Sequence, residues 1–420
     1  MKVFKFGGAS VDSVERIKNV ASILQGYRNE QVLIVVSAMG KTTNALEKVV
    51  EAYFNGDKEQ ALQLFSTIRT QHLQRAKELL DSYYPATEKK LSDFFTEVEW
   101  LLHDQPVRDF DYYYDQVVCI GELISTVIVS AFLNQSGLQN GWLDVRDIIR
   151  TDDNFRDAGI DWQFSLRKVE EQVLPLFRDQ SHLVLQGFIG STDENESTTL
   201  GREGSDYTAA VFANMLNAES LTIWKDVKGV MNADPKVFPD AILLSELSYE
   251  EVIEMAFYGA QVIHPKTIKP LQNKKLPLLV KSFLEPQLSG TIIHGKSMHN
   301  IPPVIVIKKN QALLHLRSSD FSFVGEKAVA DLYHLFATYK IKPNLIQTGA
   351  VSIHVCIDDQ MEKNERMAGA VAAGFDVMLE KDLTLITIRH DKGEMLSSLT
   401  KGKTIELLQR SPDTVQALIR

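Results

Sequence analysis

Short, mostly apolar runs recur through the first 280 residues of this 420-residue chain, and a longer helical pattern separates most of them from the next. The clearest run, 32–36, is five consecutive Val, Leu and Ile residues. Strands that are apolar on both faces are typical of parallel sheets, whose helical connections cover both faces. The pattern therefore predicts a three-layer αβα sandwich. Its strands are expected at 3–6, 32–36, 142–146, 182–186, 221–224 and 277–281, and the last of these closes the sheet.

A different pattern follows Gly290, with a boundary marked by Pro302, Pro303 and residues 308–310. Strands and helices then succeed one another in the order βαββαβ, which predicts a ferredoxin-like fold. The expected elements are strand 312–316, helix 324–339, strands 345–346 and 351–357, helix 360–374 and strand 383–388, with flanking strands at 304–307, 404–408 and 414–419. We expect a first domain at 1–298, with a helical insert at about 45–115, and a second at 299–420.

Composition excludes several classes of protein. The net charge of −10 and the absence of a Lys/Arg cluster argue against binding to nucleic acid. Cys119 and Cys356 lie far apart within apolar runs, which favours reduced core thiols and a cytoplasmic location. Residue 1 leads directly into a strand rather than a signal peptide, and no window reaches the roughly 18 continuous apolar residues of a membrane span.

The first strand ends abruptly at Gly7 and Gly8, and a helical pattern begins near Val11. Glycines between a strand and a helix allow backbone N–H groups to approach a phosphate closely, and the helix dipole favours negative charge there. Lys5 adds a cation beside this turn. An ordinary βα turn is the alternative interpretation.

A second polar cluster, SAMGKTTN at 37–44, follows the strand 32–36. Its GKT triplet imitates the end of a Walker A loop, but the position five residues before Gly40 is Val35 instead of glycine, so we reject a P-loop. Ser37, Thr43 and their neighbours lie where ligands bind in open α/β sheets, at the carboxyl end of a strand. Capping of the next helix by Thr43 or Asn44 is the alternative.

Glu122 is the one carboxylate in the middle of the apolar helix predicted at 116–133. An unpaired buried charge is costly, so this side chain must pair with a basic residue or face a cleft that receives a cation. Just before this helix, Asp109, Asp111 and Asp115 alternate with aromatic residues. They are predicted to form a helix face rather than a metal site.

A glycine-rich polar loop at 192–204 precedes a helix that is expected to start at about Ser205. Arg202 and Asp206 lie four residues apart around Gly204. A basic group, hydroxyls and an acid at a helix N-terminus can bind a carboxylate, position a lysine and face phosphates. A flexible loop with a good helix cap is the alternative.

Together these segments resemble aspartate kinase. The matching motifs are KFGGAS (5–10), VVSAMGKTTN (35–44), GEL (121–123), GFIGST (187–192), TTLGREGSDYTAA (198–210), WKDVKGV (224–230), ADP (233–235) and GAQVIHP (259–265). The resemblance extends along the whole chain in the same order. It implies an amino-acid-kinase fold followed by an ACT regulatory region. It also implies a cytoplasmic enzyme that transfers the ATP γ-phosphoryl group to L-aspartate, the first step towards lysine, threonine and methionine.

The resemblance also implies roles for individual residues. Lys5, with the N–H groups of Gly7 and Gly8, is expected to hold the β- and γ-phosphates, and Asp206 to hold Lys5. Glu122 is expected to bind the substrate ammonium and Arg202 a substrate carboxylate. Lys5, Arg202 and Asp206 are the catalytic set. Further nucleotide contacts are expected from Phe6, Ser10, Lys225, Asp226, Met231, Lys236 and Gln261, and further substrate contacts from Ser37, Thr43 and Ser205. Mg²⁺ is expected with ATP, held mainly by phosphate oxygens.

These residues suit the chemistry independently of any resemblance. An aspartate carboxylate is already ionised at neutral pH, because its reference pKa is about 3.9, so a strong general base is not needed. The task is to bring two anions together and to neutralise the transferred phosphoryl group. Two alternatives stay open: a related kinase for glutamate, acetylglutamate or UMP, and a non-catalytic amino-acid sensor with the same fold.

The chain departs from the family pattern at several positions. Ala9 replaces a usual threonine and Glu203 a usual glycine, and we expect the Glu203 carboxylate to face solvent. The nucleotide side has Met231 for tyrosine, Lys236 for arginine and Gln261 for lysine. This pocket therefore has less positive charge, and we expect ATP to bind more weakly or through different contacts.

The C-terminal part is shorter than the paired ACT units usual in the family. About 120 residues supply one complete unit and a truncated remnant of a second. Lysine-inhibited relatives place an Asp and a Glu at positions that match Asn344 and Ala350 here, so strong inhibition by lysine is not expected. Strand pairing between ACT regions would form a homodimer.

Overall fold

The structure is a computed structural model that describes residues 1–298, 300–320 and 322–420. The chain divides into two compact units. The first comprises Met1–Val230, Leu243–Ile253 and Ile263–Ser297, and the second comprises Met231–Ile242, Glu254–Val262 and Met298–Arg420.

The first unit is built on an eight-stranded sheet. The strands of this unit are β1 (Lys2–Phe6), β2 (Val32–Val36), β3 (Asn140–Trp142), β4 (His182–Gln186), β5 (Ile189–Ser191), β6 (Ser197–Thr199), β7 (Ser220–Lys225), β8 (Glu246–Ser248), β9 (Leu278–Ser282) and β10 (Thr291–His294). The order across the large sheet is β3-β4-β2-β1-β7-β9-β10-β8, and β5 pairs with β6 separately. Six consecutive strands of this sheet run parallel, namely β3, β4, β2, β1, β7 and β9. Strand β1 lies between β2 and β7 near the middle of the sheet.

Helices accompany this sheet, and residues 42–103 are almost wholly helical. The helices are α1 (Val14–Gln25), α2 (Thr42–Phe54), α3 (Lys58–Leu79), α4 (Tyr84–His103), α5 (Phe110–Gln135), α6 (Trp162–Lys168), α7 (Leu174–Leu176), α8 (Gly204–Met215), α9 (Tyr249–Phe257) and α10 (Pro265–Lys274). The predicted α/β sandwich is confirmed, because apolar strands such as β2 are fully buried under this helical cover.

Helix α5 is long and apolar enough to cross a membrane by length and composition. Within this unit, however, 89% of its most apolar 18-residue window is buried. Burial of this kind is typical of the central core helix of a globular protein. It explains why nearly every residue from Val117 to Leu133 is apolar or small.

Two details of the predicted first sheet are wrong. The sheet does not close at residues 277–281, because β10 adds antiparallel to β9 and β8 adds beyond it. These strands have only four and three residues, too few for a hydrophobic period to reveal. The strand predicted at 142–146 ends at Trp142, since Val145–Asp147 forms a 3-10 turn whose first N–H groups bond to Gln186 and Asp144.

The second unit contains a six-stranded antiparallel sheet. Its elements are β11 (Val304–Ser318), α11 (Glu326–Thr338), β12 (Pro343–Thr348), β13 (Ser352–Asp358), α12 (Met361–Val371), β14 (Phe375–Arg389), α13 (Glu394–Leu399), β15 (Ile405–Arg410) and β16 (Thr414–Ile419). The order is β12-β13-β11-β14-β16-β15. The succession from β11 to β14 is the predicted ferredoxin-like βαββαβ, with α11 and α12 packed on a core that includes Leu314, Val355 and Phe336.

Two strands of this sheet are longer than predicted. The separate strands expected at 304–307 and 312–316 form one strand, β11, with an irregularity between Lys308 and Gln311. The strand expected at 383–388 is the second half of β14, and its first half, 375–380, completes the βαββαβ sheet. The second half pairs with residues 304–311 and with β16. Each long strand therefore belongs to both halves of the sheet.

Candidate active site

A cavity of about 580 Å³ opens in the first unit, with β1, β2 and β7 ending at its wall. Ligands bind at the carboxyl ends of strands in folds of this kind. The residues predicted from the sequence that line this cavity are Lys5, Gly7, Gly8, Ser10, Ser37, Thr43, Glu122, Arg202, Ser205, Asp206, Lys225 and Asp226. Segments more than 200 residues apart in the chain thus share one wall.

The turn after β1 packs directly against the turn after β2. Gly40 N donates to Gly8 O over 3.0 Å, and a β-carbon on Gly8 would lie 2.7 Å from Ala38 O and 2.9 Å from Gly40 O. A side chain would therefore collide with rigid backbone, and glycine alone permits this approach. The contact brings the KFGG and SAMGKTTN motifs together.

Lys5 and Asp206 meet in this cavity. Lys5 Nζ lies 2.7 Å from Asp206 Oδ1, and Lys225 Nζ lies 3.8 Å from Asp206 Oδ2. Burial would raise the pKa of the Asp206 carboxyl, but the charges of Lys5 and Lys225 hold that pKa below its usual value. The carboxylate is therefore ionised at neutral pH, and it orients two ammonium groups at the N-terminus of α8, where a negative ligand is favoured.

Glu122 enters the same cavity from α5 and is buried. Burial raises the pKa of its carboxyl to about 8, against the opposing effects of a hydrogen bond from the Ala38 backbone and the charge of Lys5. Among the described residues, none forms a hydrogen bond with Glu122 Oε2. The alternative of a structural ion pair is therefore not observed within the described chain. An unsatisfied buried carboxylate in a cavity suits a cationic ligand group.

Glu203 lies in the left-handed region with φ of 54°, immediately before α8. Glu203 is exposed, as expected, but it also lines the cavity. Its carboxylate is not directed only to solvent, because Glu203 Oε2 accepts a hydrogen bond from His264 N over 3.0 Å. This bond holds the carboxylate towards the backbone of a neighbouring loop. Neighbouring Arg202 is exposed at the rim of the cavity.

The comparisons with known proteins agree with this geometry. Residues 1–282 match the amino acid kinase family. Lysine-sensitive aspartokinase 3 of Escherichia coli K12 is 32% identical over 359 residues, which cover 85% of this chain and 78% of that protein. The chain belongs to the aspartokinases.

A further relative and a solved structure are also similar over much of the chain. Chloroplastic aspartokinase 2 of Arabidopsis thaliana is 32% identical over 366 residues, covering 85% of this chain and 66% of that protein. A crystal structure of E. coli aspartokinase III in complex with aspartate and ADP aligns with a TM-score of 0.83 and 27% identity, covering 100% of this chain and 96% of that one. The aspartokinase fold therefore extends along both units.

Four residues predicted for the nucleotide site of this aspartokinase do not line the cavity. The Phe6 side chain is fully buried and stacks on Trp224 with ring centroids 5.9 Å apart, so only its backbone is available to a nucleotide. Met231, Lys236 and Gln261 belong to the second unit. Their contact with a nucleotide stays a prediction.

Several further residues line the aspartokinase cavity without a role assigned from the sequence. Phe188, Thr199 and Trp224 lie within the matching motifs, whereas Tyr114, Arg156 and Phe283 lie outside them. The alternative interpretation, capping of α2 by Thr43 or Asn44, is not observed, because the N-cap residue is Lys41 and its side chain forms no capping bond. Thr43 is thereby available to the cavity.

Asp115 lies on helix α5, as the sequence predicts, and its fully buried side chain holds two segments of the cavity wall. Its Oδ2 accepts hydrogen bonds from Thr199 N over 2.8 Å and Arg156 N over 3.0 Å, and its Oδ1 accepts one from Thr199 Oγ1 over 2.7 Å. Burial raises the pKa of this carboxyl to about 6, although the three hydrogen bonds oppose the rise. The ionised form accepts all three bonds.

We expect Asp115→Ala to destabilise this aspartokinase by about 1–3 kcal/mol, because the variant leaves the buried N–H groups of Thr199 and Arg156 without their acceptor. The midpoint of urea unfolding at pH 8 measures the effect. Asp111→Ala is the matched control, since that carboxylate is 56% exposed on the same helix. Equal midpoints for the two variants would contradict the structural role of Asp115.

Proposed function

We propose that this aspartokinase phosphorylates the side-chain carboxylate of L-aspartate with ATP and releases 4-phospho-L-aspartate and ADP. The observation that carries the proposal is the Lys5–Asp206 ion pair at the junction of the KFGG turn and the N-terminus of α8. The family membership and the aspartate and ADP bound by the E. coli relative support the same reaction.

In this mechanism an oxygen of the aspartate carboxylate attacks the γ-phosphorus. The bond from that phosphorus to the β,γ-bridging oxygen breaks, and ADP leaves with the bridging oxygen. Lys5, held by Asp206, neutralises the phosphoryl oxygens as their charge redistributes. Arg202 binds a substrate carboxylate, and Glu122 binds the substrate ammonium. The chain needs no general base, because the nucleophile is already ionised.

ATP is expected to occupy the part of the cavity formed by Gly7, Gly8, Ser10, Lys225 and Asp226. Mg²⁺ is proposed to accompany it, held mainly by phosphate oxygens and waters, as is usual for this small cation. Within the described ranges no group of three or more His, Cys, Asp or Glu side chains forms a ready-made metal cage. When bound, the ion would neutralise phosphate charge, while Ser37, Thr43 and Ser205 position aspartate.

A panel of acceptors tests the reaction. Coupled ADP release should be fastest with L-aspartate, and slower by orders of magnitude with glutamate, N-acetylglutamate or UMP. A higher kcat/KM for any of these three would replace aspartate as the substrate. Absence of ADP release with every acceptor, combined with aspartate binding in calorimetry, would instead favour a non-catalytic sensor.

We further propose that residues 1–298 are catalytic and that residues 299–420 form an ACT-type regulatory region of a cytoplasmic homodimer. We also propose that lysine does not inhibit the enzyme strongly, and the contacts of Asn344 in the second unit support this. Asn344 Oδ1 accepts a bond from Lys308 Nζ over 2.8 Å, and Asn344 Nδ2 donates to Gln311 and Asp358. Asn344 matches a position that faces the effector in lysine-inhibited relatives. Here its amide oxygen already binds the ammonium of Lys308, so it is occupied by a group of the protein itself.

Adding lysine or threonine to the ADP-release assay tests this regulatory proposal. We expect lysine, added well above the usual KM range of about 1 μM to 1 mM, to leave the rate nearly unchanged when the aspartate concentration equals its KM. Strong inhibition would contradict it. Sedimentation measures the dimer.

A further inference from the structure

Arg156 shares the cavity with Lys5, Glu122 and Arg202, although the proposed reaction gives it no role. Its φ of 70° places a residue with a β-carbon in the left-handed region that favours glycine. Such strained residues persist only where surrounding contacts impose them, and they are concentrated at binding and catalytic sites. Arg156 therefore requires an explanation.

The backbone around Arg156 is fixed to the loop that carries Arg202. Asp115 accepts bonds from both Arg156 N and Thr199 N, and Ala158 N donates to Thr199 O over 3.0 Å. Lys266 Nζ donates to Asp157 Oδ1 over 2.8 Å and to Leu200 O over 2.9 Å. The position of the Arg156 α-carbon relative to this loop is thus set by several independent bonds.

The side chain of Arg156 is held far less firmly. Its guanidinium carbon lies 4.3 Å from the Tyr114 ring centroid, and its nitrogens lie 3.2 Å from Asp111 Oδ1 and 3.4 Å from Glu47 Oε1. The Arg156 side chain is 41% exposed. Ion pairs between exposed groups contribute little free energy, so a carboxylate ligand can compete for this guanidinium.

These neighbours place Arg156 at the proposed amino-acid end of the cavity. Glu47 lies one turn after Thr43 on α2, and residues four apart share a helix face. Tyr114 lies about two turns before Glu122 on α5. The guanidinium therefore reaches the part of the wall formed by Thr43 and Glu122, where the proposed function puts aspartate.

The charge balance of the wall also favours a substrate role. Its basic residues are Lys5, Arg156, Arg202 and Lys225, and its acidic residues are Glu122, Glu203, Asp206 and Asp226. Without Arg156 the acids would outnumber the bases around two anionic substrates. Aspartate has two carboxylates, and guanidinium groups bind carboxylates with paired, charge-assisted hydrogen bonds.

We propose that Arg156 is a specificity-determining residue that binds the α-carboxylate of the acceptor amino acid alongside Arg202. Substrate displaces its guanidinium from Glu47 and Asp111. The side-chain carboxylate of aspartate is then directed to the γ-phosphate, and an acceptor that lacks the α-carboxylate is disfavoured. This inference rests on the proposed aspartate kinase function.

Arg156→Gly tests the proposal without backbone strain, because glycine adopts this φ readily. We expect the KM for aspartate to rise about 10- to 100-fold, the range for loss of a charged hydrogen-bonding partner, with kcat and the KM for ATP nearly unchanged. Arg156→Lys should recover part of the loss. β-Alanine, which keeps the ammonium and the acceptor carboxylate but lacks the α-carboxylate, should inhibit wild type and Arg156→Gly equally.

Arg108→Ala is the matched control. Its guanidinium carbon lies 4.0 Å from the Tyr112 ring centroid and the side chain pairs with Glu196, but it does not line the cavity. Its KM should equal that of wild type. A KM for aspartate within twofold of wild type in Arg156→Gly would overturn the proposal, and so would parallel weakening of aspartate and β-alanine. If wild type neither binds nor phosphorylates aspartate, the proposed function itself fails.

Discussion

Lys5→Ala is expected to lower kcat for aspartate phosphorylation by about 100- to 1,000-fold, the usual cost of removing one group that stabilises transition-state charge. The variant should keep β1, because backbone pairing with β2 and β7 holds this strand on both sides and does not involve the Lys5 side chain. Without Lys5, the buried Asp206 carboxylate pairs only with Lys225. Its negative charge, near the transferred phosphoryl group, is then less fully neutralised. Steady-state ADP release at saturating ATP measures the loss.

Lys2→Ala is the control for this prediction. Lys2 lies on the same strand, but its ammonium pairs with Glu30 over 2.5 Å and is outside the cavity wall. Its kcat should match wild type. A kcat for Lys5→Ala within threefold of that control would remove Lys5 from the mechanism. In a double-mutant cycle with Asp206→Asn, effects that simply add would show that the observed ion pair has no part in the reaction.

Glu122→Gln is expected to raise the KM for aspartate about 100-fold while changing the KM for ATP little. The substitution is nearly isosteric and removes the negative charge that would pair with the substrate ammonium, a charge-assisted bond in a buried site. If only the KM for ATP changed, the role assigned to Glu122 would be wrong. Glu97→Gln is the control, because burial also raises the pKa of that carboxyl but the residue does not line the cavity.

The raised pKa of Glu122 also predicts two dependences on pH. Below about pH 8 the carboxyl is largely protonated before substrate binds, so aspartate affinity should rise as the pH increases from 6.5 to 8.5. Between the ordinary pKa of 4.5 and about 8, the folded state holds a proton that the unfolded state has lost. Stability contributed by this group therefore falls as pH rises through that window.

Glu122→Gln should remove both dependences. At pH 7 the variant is expected to be more stable than wild type by on the order of 3 kcal/mol, since each pKa unit corresponds to about 1.4 kcal/mol. The stability difference should shrink towards pH 4.5. Urea unfolding at several pH values measures it, and a difference that grows towards low pH would contradict the assignment.

The residues that could be predicted from sequence are those whose chemistry is local. Gly7 and Gly8 can present backbone N–H groups to a phosphate only if they follow a strand and precede a helix, and the sequence shows that order. Glu122 is conspicuous because it interrupts an apolar helix. Asp206 lies in a polar loop that starts a helix. Each signal depends on a few neighbouring residues, and family motifs then joined them into one site.

The residues that escaped prediction act through contacts distant in sequence. Asp115 looks like one of several acids beside tyrosines, and only the fold shows that Thr199 and Arg156 donate to it. Arg156 has no motif around it, and its left-handed φ cannot be inferred from an arginine. In the second unit, β14 continues from one half of the sheet into the other. Its two parts are distinguished only by the segments they pair with, and no change of hydrophobic pattern along the strand marks this.

The central claim is that two distant loops bring Lys5 and Asp206 to a nucleotide's γ-phosphate beside an aspartate carboxylate. Trapping the product with hydroxylamine tests it most directly, because an acyl phosphate reacts to give a stable hydroxamate. Wild type incubated with ATP and L-aspartate should give one equivalent of aspartyl β-hydroxamate for each ADP, and Lys5→Ala almost none. ADP release without hydroxamate, or equal hydroxamate from both proteins, would contradict the account.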